Sequence, residues 1–397
     1  MNNAPICTYL CSLLWTFCLP YMLYAQQKTF APSPSAKADD KIAAIDQLVK
    51  SLVDDQFTVG VTWGIQIGLS TVHTASYGHS DLESQTPVNK NTRFHIASVT
   101  KPFTAIAIAL LIEQGQVSLD QKLSDYFPKF PKGDQVSIYQ LLSHTSGIPD
   151  WWVGQLPDAT PDDWLTRAHP HQYLSQMKQI YLFESGTQYS YSNSGYLLLG
   201  EIIEQVVGIS YSEFIQKYIV GPLDLSHTGI LAEGENTNLA KGYGVKQDTS
   251  GISPTFIHQD FFAGGLKSVG GLTTTAIDLL KWTKALFSEK YVTEKMLNQM
   301  TKYAKVNSGQ PTHEALYWPA DWPVQNPPVF MKKAGYGLGF TLTEMYGEPV
   351  IWHSGGLPGF NAIWVYIPSS QTTLVILANT DNGAVPVFES IMKMITD

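Results

Sequence analysis

The chain has 397 residues, a formal net charge of −9 at pH 7 and 44% apolar residues, so it can build a core and is not intrinsically disordered. The negative balance argues against a nucleic-acid partner, whose phosphates need a basic surface. Because a single core stops growing near ~250–300 residues, we expect one or two domains.

Residues 1–25 predict a secretory signal peptide. The segment is apolar and uncharged from residue 6 to residue 24, and Ala25 supplies the small residue expected before a cleavage site. It starts without Lys or Arg, so an uncleaved N-terminal membrane anchor is the alternative. The three cysteines are Cys7, Cys11 and Cys18, so cleavage would leave no thiol. We expect a periplasmic or secreted protein with no stable membrane insertion after cleavage.

The first part of the chain predicts a helix, a hairpin and a buried helix. Residues 26–40 are polar and Pro-rich and predict a flexible lead-in. Apolar residues recur at helical spacing over 41–56. The runs 61–67 and 72–77 predict two strands of a hairpin. Residues 102–114 are almost entirely apolar and predict a helix buried on most sides, ended by Gly115.

The middle and the end of the chain differ in pattern. Helices are predicted at 196–207, 211–219 and 272–287, the last with Thr273, Thr274 or Thr275 as N-cap. Short strands are predicted at 336–345, 348–353, 361–367 and 372–378, followed by a helix at 385–396.

Strands at both ends predict an antiparallel sheet flanked by helices, an α/β fold of the α+β type, with a mainly helical domain inserted. We expect one catalytic unit over 41–397. Its sheet domain would comprise 41–100 and 266–397, and its helical domain 101–265.

The pattern S-x-x-K occurs three times, at Ser98–Lys101, Ser175–Lys178 and Ser390–Lys393, and is not specific by itself. Ser98 differs in context, because it opens the most apolar helix of the chain. Backbone N–H groups and the helix dipole favour developing negative charge there. Lys101 follows one turn later, and a desolvated lysine can lose its proton and act as a base. The alternative is an N-cap serine with a solvated lysine.

Two further segments carry chemistry. Tyr191-Ser192-Asn193 precedes an apolar helix and offers a phenol for proton transfer and an amide for orienting a carbonyl. Its alternative is a helix cap with a packed Tyr. In 353–356, His353 and Ser354 precede Gly355 and Gly356, whose backbone can approach a substrate closely. A second H-x-G pattern, His227-Thr228-Gly229, competes with the one that begins at His353, but it is typical of a turn.

Other common motifs are missing from the sequence: it has no G-x-S-x-G, H-E-x-x-H, glycine-rich phosphate loop or C-x-x-C. His169-Pro170-His171 offers a pair of metal ligands. No acidic residue lies at a helpful spacing in the sequence, so the pair is interpreted as surface-loop histidines.

The motifs S-V-T-K at 98–101, Y-S-N at 191–193 and H-S-G-G at 353–356, in this order, resemble those of the penicillin-recognising serine hydrolase superfamily. The similarity is to its class C β-lactamase-like branch of esterases, D-aminopeptidases and D,D-peptidases, and it spans roughly residues 45–395. Supporting stretches lie at 94–104, 141–150, 191–200, 270–275 and 336–340.

The resemblance implies a β-lactamase/transpeptidase-like fold and a serine hydrolase that works through an acyl-enzyme. Ser98 would be the nucleophile, and Lys101 and Tyr191 would transfer its proton. Asn193 and the segment His353, Ser354, Gly355 and Gly356 would bind a small-molecule or short-peptide substrate. The backbone N–H groups of Ser98 and Gly356 would form the oxyanion hole. No cofactor and no metal is implied.

Two departures from the β-lactamase pattern bear on specificity. The third motif often begins with Lys, whereas His353 stands here, and 377–385 lacks the Arg found near the last helix of class C enzymes. The whole chain has two arginines, Arg93 and Arg167. We therefore expect an esterase or D-amino-acid-specific peptidase, with a β-lactamase or D,D-carboxypeptidase as the alternative.

Two aromatic loops are candidates for specificity. One holds Trp151, Trp152 and Trp164, and the other, 311–330, holds Tyr317, Trp318 and Trp322. They would favour an apolar acyl group if they flank the cleft, and would otherwise pack on each other.

An inactive cell-wall binding or sensor protein is a second alternative, although binding alone would not require Ser98, Lys101 and Tyr191 together. Nothing in the sequence supports a purely structural module, since it contains no repeats.

Overall fold

A computed structural model describes residues 38–68, 71–150, 169–177, 179–231, 237–244, 255–257, 267–287, 291–317 and 331–396. The predicted signal peptide and the tryptophans of both aromatic loops lie outside the described residues. Within the described part, no helix has the length and apolar character needed to cross a membrane.

The chain begins with the predicted helix and hairpin. Helix α1 spans Ala38–Asp54, and strands β1 (Gly60–Ile67), β2 (Thr71–Asp81) and β3 (Thr86–Pro87) follow. The helix starts earlier than predicted, because two acidic residues in its first turn suit a helix N-terminus. The last residues of the predicted lead-in are therefore helical.

An eight-stranded antiparallel sheet is built from both ends of the described chain, in the order β3-β2-β1-β13-β12-β11-β10-β9. Its C-terminal strands are β9 (Met331–Tyr336), β10 (Thr341–Met345), β11 (Glu348–Leu357), β12 (Phe360–Ile367) and β13 (Thr372–Ala378). Strand β1 pairs with β13 from Val61 opposite Ala378 to Ile67 opposite Thr372. The predicted fold class is confirmed, whereas the domain boundaries stay a prediction.

One predicted strand is two strands. The run 336–345 contains the end of β9 and all of β10, joined by a turn at 337–340. Gly339 has a φ of +96°, which a strand does not allow.

Helices and short strands lie between β3 and β9. The helices are α2 (Thr100–Glu113), α3 (Leu123–Tyr126), α4 (Ile138–Leu142), α5 (Pro170–Leu174), α6 (Asn193–Val207), α7 (Tyr211–Ile215), α8 (Lys267–Gly270), α9 (Ala276–Phe287) and α10 (Glu294–Met300). The strands are β4 (Phe94–His95), β5 (Gly229–Ile230), β6 (Gly242–Gly244), β7 (Thr255–Ile257) and β8 (Leu272–Thr274). The described chain ends with the predicted helix, α11 (Val385–Thr396).

The predicted helix 272–287 begins too early. Strand β8 occupies its first three positions and pairs with β4 and β5, because a threonine run suits a strand. The helix itself is α9, and Thr275 caps it by accepting the Asp278 N–H at 3.2 Å. The predicted helix 211–219 is also shorter, since α7 continues as a π-helical turn over Gln216–Val220.

The sheet has a hydrophobic core on each face. Alternate residues of β12 enter different cores, as strand geometry requires. Ile363, Val365 and Ile367 pack with α1 and α11. Ala362, Trp364 and Tyr366 pack in the core that contains α2, α6 and α9. The inserted helices therefore cover one face of the sheet, and the segment from β4 to α2 lies in that core.

Candidate active site

Ser98 lies in a short 3₁₀ turn, Ala97–Val99, between β4 and α2. The preceding Ala97 has a φ of +47°, a left-handed conformation that costs energy for a residue with a Cβ. The turn places half-buried Ser98 just before the first residue of α2. Its context agrees with the sequence prediction, although the helix proper starts at Thr100 rather than at Ser98.

The Lys101 side chain is fully buried and touches Ser98. Its Nζ donates to Ser98 Oγ at 3.0 Å and to the Val269 carbonyl at 3.1 Å. It also lies 5.0 Å from the centre of the Tyr191 ring and 5.7 Å from that of Tyr196. The alternative of a solvated lysine is wrong for this position.

The end of the loop before α6 holds Tyr191 and Asn193. Ser192 is the N-cap of the helix and accepts the Gly195 N–H at 3.3 Å, while Asn193 is the first helical residue. The Asn193 Nδ2 donates to Asp150 Oδ2 at 2.7 Å. Ser192 is thus the helix cap that the alternative described, and half-buried Tyr191 precedes it.

His353 is a buried, neutral imidazole on β11. The Ser354 carbonyl, 2.7 Å from Nδ1, can only accept, so Nδ1 carries the proton. Nε2 then accepts from the Tyr336 hydroxyl at 3.0 Å. Burial, and then the nearby charge of Lys101, lower the pKa of His353 from 6.5 to about 3. The residue therefore supplies no positive charge at neutral pH.

The two glycines that follow on β11 have different surroundings. A Cβ on Gly355 would overlap the Ile96 carbonyl oxygen and lie 3.0 Å from the Cβ of Ala97. A Cβ on Gly356 would have no atom within 4 Å. Gly355 thus lets β11 pack directly against the turn that carries Ser98, and Gly356 is exposed beside it.

These contacts bring the three predicted motifs together. Lys101 links Ser98 to the Tyr191 ring, and the rings of Tyr191 and His353 are 6.2 Å apart between centres. The other S-x-x-K patterns lie elsewhere: Ser175 donates to the Gln172 carbonyl after α5, and Ser390 lies in α11.

The competing pattern at 227–229 has a structural use. The His227 N–H donates to Asp278 Oδ2 at 2.8 Å, in the turn before β5. Arg93 also has a structural use, because its guanidinium donates to Thr273 Oγ1 at 2.7 Å between β4 and β8.

The interpretation as surface-loop histidines is wrong for His171, whereas His169 is mostly exposed and precedes α5. His171 lies on α5, its side chain is 28% exposed, and its Nδ1 is 2.5 Å from Glu201 Oε1 on α6. Glu201 follows thirty positions later, so no local spacing in the sequence indicates this contact.

The sequence reasoning assigned no role to three buried residues of the site: His144, Asp150 and Tyr336. His144 accepts the Ser192 N–H at 3.1 Å through Nδ1, and its ring is 4.3 Å from the Tyr191 ring centre. Burial, then Lys101 and His353, hold the pKa of His144 well below its usual value. All three residues lie in the stretches 141–150 and 336–340, which support the family resemblance. That resemblance was the signal in the sequence that could have identified them.

A model of the Beta-lactamase family matches residues 45–392. The chain belongs to this family. The resemblance seen in the sequence is therefore confirmed, and the match includes all three motifs of the site.

Two relatives within the family are informative. Penicillin-binding protein 4* of Bacillus subtilis is 26% identical over 314 residues, covering 77% of this chain and 65% of the relative. Protein flp of Staphylococcus aureus is 27% identical over 320 residues, covering 78% of this chain and 57% of the relative. The chain thus spans less than two thirds of the length of these curated relatives.

Solved structures share the fold. The octameric penicillin-binding protein homologue from Pyrococcus abyssi has a TM-score of 0.71 and 26% identity, covering 89% of this chain and 77% of its own. The D-amino acid amidase from Ochrobactrum anthropi SV3, complexed with L-phenylalanine amide, has a TM-score of 0.70 and 23% identity, covering 89% and 98%. The second likeness is one of fold alone.

Proposed function

We propose that the protein is a serine hydrolase that works through an acyl-enzyme formed on Ser98. The observation that carries the proposal is the 3.0 Å hydrogen bond between Lys101 Nζ and Ser98 Oγ. Lys101 is fully buried, so its Nζ has exchanged water for a few protein partners. A lysine without water is easier to deprotonate and can act as a base toward the hydroxyl.

In the proposed reaction Ser98 Oγ attacks the substrate carbonyl and its proton passes to Lys101. Tyr191, whose ring lies 5.0 Å from Nζ, returns a proton to the leaving group. The N–H groups of Ser98 and Gly356 stabilise the oxyanion, each lowering the barrier by about 3 kcal/mol. Water then cleaves the ester with Tyr191 as its base, and Lys101 returns its proton to Ser98 Oγ. Asn193, held by Asp150, orients the substrate.

The charges of the site favour an ester or a D-amino-acid amide or peptide as substrate. His353 is neutral, and the Arg93 guanidinium is bound to Thr273. The carboxyl of Asp150 lies beside Asn193, which disfavours a substrate carboxylate there and favours an ammonium. A β-lactamase or D,D-carboxypeptidase acting on peptidoglycan-like substrates is the second candidate, supported by the name of Penicillin-binding protein 4*.

We further propose that the protein is exported, to the periplasm or beyond, and that it acts on small molecules or short peptides without a nucleic-acid partner. The apolar segment before Ala25 and the negative charge of the chain support this. The boundaries 41–100, 101–265 and 266–397 are our proposed division into sheet and helical domains.

Covalent labelling tests the enzyme proposal. We expect a fluorophosphonate to form one adduct on the native chain, located at Ser98 by mass spectrometry, and none on Ser98→Ala. Ser175→Ala is the matched control, because it removes the serine of a second S-x-x-K pattern. Equal labelling of Ser98→Ala, or no adduct with either a fluorophosphonate or a labelled penicillin, would refute the enzyme and leave the sensor alternative.

A substrate panel separates the two candidates. We expect turnover of short acyl esters or D-amino-acid amides and little hydrolysis of nitrocefin. Efficient nitrocefin hydrolysis without turnover of esters and amides would instead favour the β-lactamase or D,D-carboxypeptidase. Ser98→Ala again serves as the blank for each substrate.

A further inference from the structure

Three side chains that the proposed reaction does not use converge between α5 and α6. His169, His171 and Glu201 each offer one ligand atom, and these atoms all lie within 4.8 Å of one another. His169 Nδ1 is 3.4 Å and His171 Nδ1 is 2.5 Å from the same oxygen, Glu201 Oε1. Both imidazoles therefore point their Nδ1 atoms at one carboxylate oxygen.

Two members of the cluster are held in place by further contacts besides the one between their ligand atoms. The second oxygen of Glu201 accepts the backbone N–H of His171 at 3.0 Å, and the Glu201 side chain is only 9% exposed. The His171 ring stacks on Phe127, with centres 4.4 Å apart and planes within 12°. These contacts fix the orientation of the two ligands, as the partners of metal ligands do. His169 is 61% exposed and leaves an open side.

We propose that these residues form a site for a zinc-type divalent cation, with a water as fourth ligand. Two imidazoles and a carboxylate are a ligand set that zinc accepts with tetrahedral geometry and bonds of about 2.0–2.1 Å. Such bonds place ligand atoms about 3.3 Å apart. The separation of His169 Nδ1 from Glu201 Oε1 matches this value.

The separation of His171 Nδ1 from Glu201 Oε1 is shorter than two ligands of one zinc ion would have. The 2.5 Å contact between His171 Nδ1 and Glu201 Oε1 is a hydrogen bond. The cation takes the place of the proton on Nδ1, Nε2 carries the proton of the neutral ring, and Nδ1 and Oε1 move apart by about 1 Å.

The site connects α5 to the helix that carries Asn193. Glu201 follows Asn193 by eight residues on α6, or about 12 Å along the helix axis. A cation there does not reach Ser98. It acts as a cross-link between the start of α5 and α6, stabilising the described chain around residues 169–174 rather than taking part in the reaction.

Metal titration of the chelator-stripped full-length chain tests the site. We expect one Zn²⁺ per chain by calorimetry, and an intense visible absorption with Co²⁺, which indicates four-coordinate geometry. His169→Ala removes a mostly exposed ligand and should fold normally, and Glu201→Gln keeps the shape of the carboxylate. Each should weaken Zn²⁺ binding at least about 100-fold, more than the loss of an outer-shell partner.

His227→Ala is the matched control, because it removes a histidine outside the cluster, and it should bind Zn²⁺ like the native chain. Unchanged binding in His169→Ala, no saturable binding by the native chain, or the weak spectrum of six-coordinate Co²⁺ would overturn the proposal. Fluorophosphonate labelling of Ser98 should not change when zinc is removed. Failure of the metal site and failure of the hydrolase proposal are thus distinguished.

Discussion

The imidazole of His353 occupies the first position of a motif in which β-lactamases often carry a lysine. The structure makes it a hydrogen-bonding group and not a cation, since Tyr336 donates to Nε2 and the Ser354 carbonyl accepts from Nδ1. A second full charge beside Lys101 would be costly in a buried place. The side chain therefore orders β11 next to Ser98 without attracting a substrate carboxylate.

The lowered pKa of His353 predicts a loss of stability in acid. In the unfolded chain the group binds a proton below about pH 6.5, whereas in the folded chain it stays neutral until about pH 3. Because the unfolded state binds more protons in this window, the free energy of unfolding falls as the pH falls. His353 accounts for about 2 kcal/mol of loss between pH 7.5 and pH 5.

His353→Gln should therefore lose about 2 kcal/mol less than the native chain over that range, whatever its stability at pH 7.5. Urea unfolding at both pH values measures this difference. His227→Gln, at a half-buried position outside the site, is the control and should keep the native dependence. An identical pH dependence in His353→Gln and the native chain would contradict the assignment of a neutral imidazole.

Sequence reasoning identified residues of the site that belong to short local patterns and missed those defined by distant contacts. Ser98 and Lys101 are one helical turn apart, so their proximity follows from helix geometry. His144 meets Ser192 across 48 positions, and Asp150 meets Asn193 across 43. Such pairs depend on the tertiary arrangement of the loops, and the local periodicity of a sequence does not predict it.

Strand β11 connects the sheet, through Gly355, to the turn that carries Ser98, the proposed nucleophile. A side chain at this position would push into the Ile96 carbonyl and the Ala97 Cβ. The turn at Ala97 already holds a left-handed conformation, so it has little freedom to yield. Displacement of about 1 Å at a reacting group costs on the order of 100-fold in rate.

Gly355→Ala should therefore slow fluorophosphonate labelling of Ser98 about 100-fold, and it should also lower the melting temperature. Gly356→Ala is the matched control for stability, because its methyl group would have no neighbour within 4 Å, and its melting temperature should equal that of the native chain. Both variants keep the backbone N–H. Native labelling by Gly355→Ala would show that the close approach does not position Ser98.

Two elements were predicted wrongly, each for its own reason. The run 272–275 offers three threonines as helix caps, but Leu272, Thr273 and Thr274 pair with β4 and β5 and become a strand. Tertiary pairing overrides the local pattern there. The run 336–345 reads as one apolar strand, and only the left-handed Gly339 divides it. The terminal strands were predictable as short apolar runs between turn residues, and α11 was predictable from its helical spacing.

In the whole molecule, the proposed active site lies on one face of the sheet, and a second hydrophobic core lies on the opposite face. The core formed with α1 and α11 contains Ile45, Leu52 and Ile391, all fully buried. The residues of the site contact the other face, through β11 and the inserted helices. A defect in the α1–α11 core should therefore weaken the fold without moving Ser98.

Ile391→Ala tests this separation. Removal of a fully buried isoleucine should lower the free energy of unfolding by about 2–5 kcal/mol, through lost burial and the cavity that remains. Lys393→Ala, an exposed change on the same helix, should stay within about 0.5 kcal/mol of the native chain. Urea unfolding measures both, and the rate of Ser98 labelling in buffer, where the chains are folded, should be native for each. A labelling rate that falls in Ile391→Ala while the chain remains folded would mean that the sheet transmits packing on one face to the nucleophile on the other.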